Sequence, residues 1–164
     1  ALCDSDQDVR HQAAVAFQTL YKLCGSEAVD AVVPVLLDQV SDDTSGNHEK
    51  ALFGLCQVLK LRSKELLPEI VPRLLATPMS RPHINALGTI AEVTGSSLHL
   101  LASKILPVLT SELVRTDALA KDDDADAREL NKALEACVLK IVSAVEESGI
   151  QWFAVEMLKE CNSE

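Results

Sequence analysis

The sequence predicts an all-α fold, a solenoid of antiparallel helix pairs, and three observations predict it. The first is an internal echo. Val32-Val33-Pro34-Val35-Leu36-Leu37, Ile70-Val71-Pro72-Arg73-Leu74-Leu75 and Ile105-Leu106-Pro107-Val108-Leu109 repeat one apolar pattern around a proline, and the prolines lie 38 and 35 residues apart. A period of about 35 to 47 residues built from two helices marks stacked helical repeats. The second is composition: 48% of residues are apolar but only 3% aromatic. The core is therefore aliphatic, which suits packed helix pairs better than strands enriched in aromatic residues. The third is the three- and four-residue spacing of apolar residues along each segment.

A first helix is expected over residues 8–24, where Val9, Ala13, Phe17, Leu20 and Cys24 share one face. Asp6 or Asp8 can cap its start, and Gly25 suits a C-terminal stop. Ser26 opens a second helix that runs to about Val40. The polar stretch from Ser41 to Gly46 leads into a third, about His48 to Leu61, and a fourth follows from about Lys64 to Ala76. After Thr77-Pro78-Met79, Ser80 is placed to cap the next helix, whose first turn accepts Pro82 and which Gly95 should end. Residues 97–115 and 127–148 form a further pair across the longest loop, Thr116 to Ala125. Gly149 then precedes a last apolar run, Ile150 to Leu158.

Pro34, Pro68, Pro72 and Pro107 fall inside these helices, where a proline costs on the order of 3 kcal/mol. A kinked first helix is normal in HEAT/ARM-like repeats, and Pro34, Pro72 and Pro107 share one register. The prolines thus count for a HEAT-type α-solenoid. Its expected divisions are 1–25 (a partial repeat), 26–62, 63–95, 96–148 and 149–164 (the start of the next). Neither end carries a polar capping repeat, so the chain reads as a fragment of a larger protein.

Two stretches go beyond the generic pattern: Ala51-Leu52-Phe53-Gly54-Leu55-Cys56-Gln57-Val58-Leu59, continuing through Arg62-Ser63 to Leu66-Leu67-Pro68, and then Ile70 to Leu75. With Asp8-Val9-Arg10 and the Phe17 helix upstream, they resemble the C-terminal half of the general-control translational activator family. That family comprises very large HEAT-repeat co-activators of the kinase that phosphorylates initiation factor 2 alpha. The likeness is best from Leu2 to Leu109 and fades around Asp122 to Asp126. It implies a cytoplasmic, ribosome-associated scaffold of the amino-acid starvation response. The implied partners are a kinase with an RWD domain and an ATP-binding-cassette protein. No family functional residue carries over onto a position of this chain.

The residues themselves offer little catalytic chemistry. His11, His48, His83 and His99 are isolated from one another, and no Cys or His pair has zinc-ligand spacing. No nucleophile elbow, phosphate-binding Gly loop or H-E-x-x-H is present. No enzyme, metal or cofactor is expected. Asp122, Asp124 and Asp126 invite a calcium-loop reading, but Ala127 and Ala133 stand where the turn glycine and the bidentate Glu belong. These carboxylates are better placed to favour the start of the next helix. Arg10, in Asp6-Gln7-Asp8-Val9-Arg10, is expected to bond a carboxylate or carbonyl at the turn. Trp152 and Phe153 are expected in inter-repeat packing.

Cys3, Cys24, Cys56, Cys137 and Cys161 are odd in number and widely spaced. Three of them, Cys24, Cys56 and Cys137, fall on apolar stripes, so buried thiols in a reducing compartment are expected. No apolar run approaches the roughly 18 to 20 residues needed to span a bilayer.

Charge is uneven. Residues 1–50 carry nine acids against three Lys/Arg and residues 91–164 carry fourteen against seven. Between them, Lys60, Arg62, Lys64, Arg73 and Arg81 face only Glu65 and Glu69, a local +3 in a chain of −10. The overall charge excludes a chain that coats nucleic acid, yet these five residues are the candidate contact to ribosomal RNA or an acidic partner. The alternative is that they complement helix C-termini and keep the surface soluble. Two rival functions stay open: a HEAT scaffold of another system, such as nuclear transport or a phosphatase, and a helical enzyme or ligand-binding bundle.

Overall fold

The helical spacing of the apolar residues is realised in seven α-helices and one short 3-10 turn, with no strand among the described residues. The computed structural model describes residues 1–2, 4–24, 26–41, 46–121, 124–145 and 147–161. The Gly25 stop, most of the Ser41–Gly46 stretch, Asp122, Asp123 and Cys3 lie outside the described residues. So do the side chains of Ser26, Trp152, Phe153 and Cys161, and with them the packing expected of Trp152 and Phe153. Two compact units, Ala1–Arg62 and Ser63–Glu164, divide the chain.

In the first unit, α1 (Gln7–Cys24) and α2 (Ser26–Ser41) precede the opening stretch of α3 (His48–Leu74). Asp6 starts α1 by accepting the Asp8 N–H at 2.8 Å, the capping bond anticipated from the sequence. Arg10 then reaches back and donates to the Asp4 and Ser5 carbonyls at 2.8 and 3.0 Å. Its guanidinium also lies 5.6 Å from the centre of the Phe53 ring, and Arg62 lies 5.7 Å from that of Tyr21. The two pairs follow the same order along α1 and α3, so these helices run parallel, as equivalent helices of neighbouring repeats do. Gly54 brings α3 close to α2, since a Cβ there would stand 3.2 Å from Leu36 Cδ2.

The apolar face of α1 is only partly covered. Phe17 and Ala14 are buried, but Val9, Leu20 and Cys24 are exposed. This corrects the expectation for Cys24. Cys56 and Cys137 are buried as anticipated. Periodicity reports that a face is apolar, not that another element lies on it.

The second unit holds the rest of α3, then α4 (Arg81–Leu98), a 3-10 turn (His99–Leu101), α5 (Ala102–Lys121), α6 (Ala125–Ala144) and α7 (Glu147–Cys161). Several boundaries differ from expectation. The third and fourth expected helices meet as anticipated at a kink, the non-helical Arg62 (φ −147°, ψ 54°) inside α3, and the second of them ends at Leu74, two residues short of the expected Ala76. Pro34, Pro68, Pro72 and Pro107 all sit inside helices. Ser80 holds the N-cap position with extended backbone, but its hydroxyl pairs with His83 Nδ1 at 3.0 Å and caps no N–H. The loop expected from Thr116 is helical through Lys121.

Gly95 does not end α4, and Gly149 lies inside α7. Each is a point of close approach. A Cβ on Gly95 would overlap the Ala144 carbonyl oxygen, and one on Gly149 would stand 3.0 Å from the His99 ring. Gly88 likewise faces Cys137 and Lys140. Arg81–Glu129, Gly88–Cys137, Glu92–Lys140 and Gly95–Ala144 are each 48 or 49 residues apart, so α4 and α6 lie side by side, parallel and in constant register.

Candidate partner-contact surface

The five basic residues singled out by charge are placed on both units. Lys60 and Arg62 close the first, and Lys64, Arg73 and Arg81 belong to the second. Lys60, Lys64, Arg73 and Arg81 are exposed, whereas Arg62 is half-buried. The break in helical geometry at Arg62 accompanies its approach to Tyr21. Arg81 stands 3.7 Å from Glu129 across two exposed side chains, a pair worth little in water. Lys60 and Lys64 flank the bend in α3.

Arg81 also borders a cavity of about 390 Å³ with Arg115, Thr116, Leu119, Asp124, Asp126 and Glu129. Beneath it runs a polar network that the sequence reading missed. Glu112 is only 3% exposed. Its Oε2 accepts from Arg115 Nε at 3.2 Å, from the terminal Arg115 nitrogen at 2.7 Å and from the Met79 N–H at 3.3 Å. The bond to Glu112 holds the Arg115 guanidinium above its ordinary pKa. Thr116, fully buried, accepts from Asn131 at 3.1 Å and links α5 to α6. The available signal was a lone acid on the stripe Ile105, Leu109, Glu112, Thr116.

Asp124 is spent on structure: its Oδ1 accepts the Asp126 and Ala127 N–H groups and caps α6, the role proposed for this acidic run. Lys132 lowers the Glu129 pKa through a hydrogen bond, with a smaller contribution from Arg81. Arg81 therefore has the Glu129 carboxylate beside it, while Lys60, Lys64 and Arg73 are exposed on α3. Among the described residues no three His, Cys, Asp or Glu side chains are grouped to hold a metal, and no helix is long and apolar enough to cross a membrane.

A family model described as stalled ribosome sensor GCN1-like, HEAT repeats, matches residues 66–164. The chain is similar to the eIF-2-alpha kinase activator GCN1 of Dictyostelium discoideum, 34% identical over 152 residues, covering 91% of this chain and 5% of the relative. Against the protein of that name in Saccharomyces cerevisiae it is 33% identical over 141 residues, 86% of this chain and 5% of the relative. Against the stalled ribosome sensor GCN1 of Homo sapiens it is 30% identical over 163 residues, 99% of this chain and 6% of the relative. The chain thus spans about a twentieth of the length of the curated relatives it matches. No solved structure matches it significantly.

Proposed function

This chain belongs to the stalled-ribosome-sensor GCN1-like family of HEAT-repeat proteins, and on that premise we propose that it is one segment of a non-enzymatic scaffold that regulates translation at the ribosome. The observation that carries the reading is identity of 30 to 34% along nearly the whole chain with proteins named as eIF-2-alpha kinase activators and stalled ribosome sensors. The parallel, constant register of α4 and α6 supports a geometric role, in which stacked helices hold partner sites at fixed spacing. The setting is the cytoplasm, and the downstream partners are a kinase with an RWD domain and an ATP-binding-cassette protein.

Within this scaffold, Lys60 and Arg62 of one unit and Lys64, Arg73 and Arg81 of the other supply the contact to ribosomal RNA or an acidic ribosomal partner. The exposed side chains of Lys60, Lys64 and Arg73 support it, since neutralised phosphate charge is the source of such affinity. The test is co-sedimentation of the parent protein with ribosomes at two salt concentrations. Two variants are compared, one carrying Lys60→Glu and Arg62→Glu, the other Lys64→Glu, Arg73→Glu and Arg81→Glu. Salt-sensitive binding that weakens in either variant locates the contact. Binding that neither variant changes removes these residues from it.

A further inference from the structure

The cleft bordered by Arg81 and Arg115 is walled by three helices of the second unit: the start of α4, the end of α5 and the first turns of α6. Its apolar lining is Leu119, 40% exposed, with Ala127 and Leu130. At about 390 Å³ it falls among ligand clefts, which span roughly 300–1,000 Å³. Both arginines are already answered by acids. Arg115 donates twice to the buried Glu112, which holds it as a fixed wall, and Arg81 stands 3.7 Å from Glu129. The charge left over is negative. One oxygen of Asp124 caps α6, and the exposed Asp126 carboxylate has no ion pair among the described residues. Along the chain, residues 117–129 carry six acids against Lys121 and Arg128.

An anionic ligand would meet these carboxylates with no free cation to hold it, whereas a cation finds its complement. The openness of the cleft says what carries that cation. The Arg81 and Glu129 side chains are 61% and 52% exposed, while small-molecule pockets bury about 70–90% of their ligand. A cleft this open suits a side chain delivered by a polypeptide, whose neighbouring residues find further contacts on the acidic rim. We propose that the cleft is a docking site for a basic, aliphatic segment of a partner protein. An arginine or lysine of that segment sets its charged head at Asp126 and lays its methylene stem, or a neighbouring leucine, on Leu119 and Leu130. This surface is opposite in sign to Lys60, Lys64 and Arg73 and serves a different partner.

The experiment adds a short peptide of alternating arginine and photoreactive leucine to the intact parent protein and maps the adducts residue by residue after irradiation. A peptide with citrulline in place of arginine, neutral but equal in shape, is the comparison. The expected result is a set of adducts on the stretch 115–130. Their yield should fall at least about fivefold with the citrulline peptide, and again in the double variant Asp126→Asn, Glu129→Gln, as the loss of one or two partly screened ion pairs predicts. Leu119→Ala should also lower it, whereas Glu135→Gln, at an exposed acid of α6 outside the cleft, should not. Equal yields from the two peptides, no adducts on this stretch, or an unchanged yield in the double variant overturn the proposal. So does displacement of the peptide by an equal concentration of spermine, which assigns the cleft to small cations. The variants leave Lys60, Arg62, Lys64, Arg73 and Arg81 in place, so this result and the ribosome co-sedimentation fail independently.

Discussion

Arg10 and Phe53 join the first and third helices face to ring, 5.6 Å from guanidinium to ring centre, while the same guanidinium holds the Asp4 and Ser5 carbonyls. One side chain thus fixes both the entry of α1 and its position on α3. Arg10→Ala removes two charge-assisted hydrogen bonds and the ring contact, and should destabilise the chain by about 1–3 kcal/mol. Arg10→Lys should recover only part of this, because an ammonium lacks the planar fork. Urea unfolding of the three proteins checks the order.

Gly95→Ala should be destabilising although alanine is the better helix former by about 1 kcal/mol. The added methyl group has no room beside the Ala144 carbonyl, and overpacking of this kind costs about 1–3 kcal/mol. Thermal unfolding should show a lowered midpoint, and an unchanged or raised one contradicts the close approach of α4 and α6.

Glu112→Ala leaves the Met79 N–H, in a residue only 2% exposed, without its acceptor. The expected loss is about 1–3 kcal/mol. Glu112→Gln keeps an acceptor and should lose less, which denaturant titration resolves.

Much of the first unit was legible in the sequence, and the reason is locality. Asp6 caps and Arg10 folds back within a few residues of their partners, so the motif contains the interaction. The C-terminal limit of α4 was not legible for the opposite reason. Gly95 looks like a stop when read along the chain, and only the carbonyl of Ala144, on another helix, explains why a glycine stands inside a helix. Cys24 failed similarly, since its stripe was read correctly but the covering was assumed. The charge count found Lys60, Arg62, Lys64, Arg73 and Arg81, yet it could not anticipate that Arg62 turns toward Tyr21 or that Glu129 stands beside Arg81.

Burial lowers the His83 pKa in the folded chain, so protonation favours the unfolded state. The contribution of His83 is whole above its ordinary value of about 6.5 and is lost as pH falls toward the folded value. His83→Gln should flatten the stability–pH curve in that window, whatever constant offset the altered Ser80 contact adds at pH 8. Parallel curves for the two proteins would refute it.

Burial also pushes the Cys137 thiol up to about 12, whereas Cys24 is exposed. At neutral pH an alkylating reagent should modify Cys24 and spare Cys137 and Cys56 until the chain unfolds. Mass mapping after brief labelling reads this directly.

The register of α4 on α6 is set by helix faces: Gly88 against Cys137, Gly95 against Ala144, Glu92 against Lys140. Nothing in that register depends on how many residues connect Lys121 to Asp124. Insertions and deletions between related chains can therefore accumulate in this connection without disturbing the stack, whereas one residue added inside α4 or α6 rotates every later contact by about 100°. The register thus tolerates a change of length here and hardly any along the paired helices. This segment is accordingly the natural place to graft an epitope or a reporter into the scaffold.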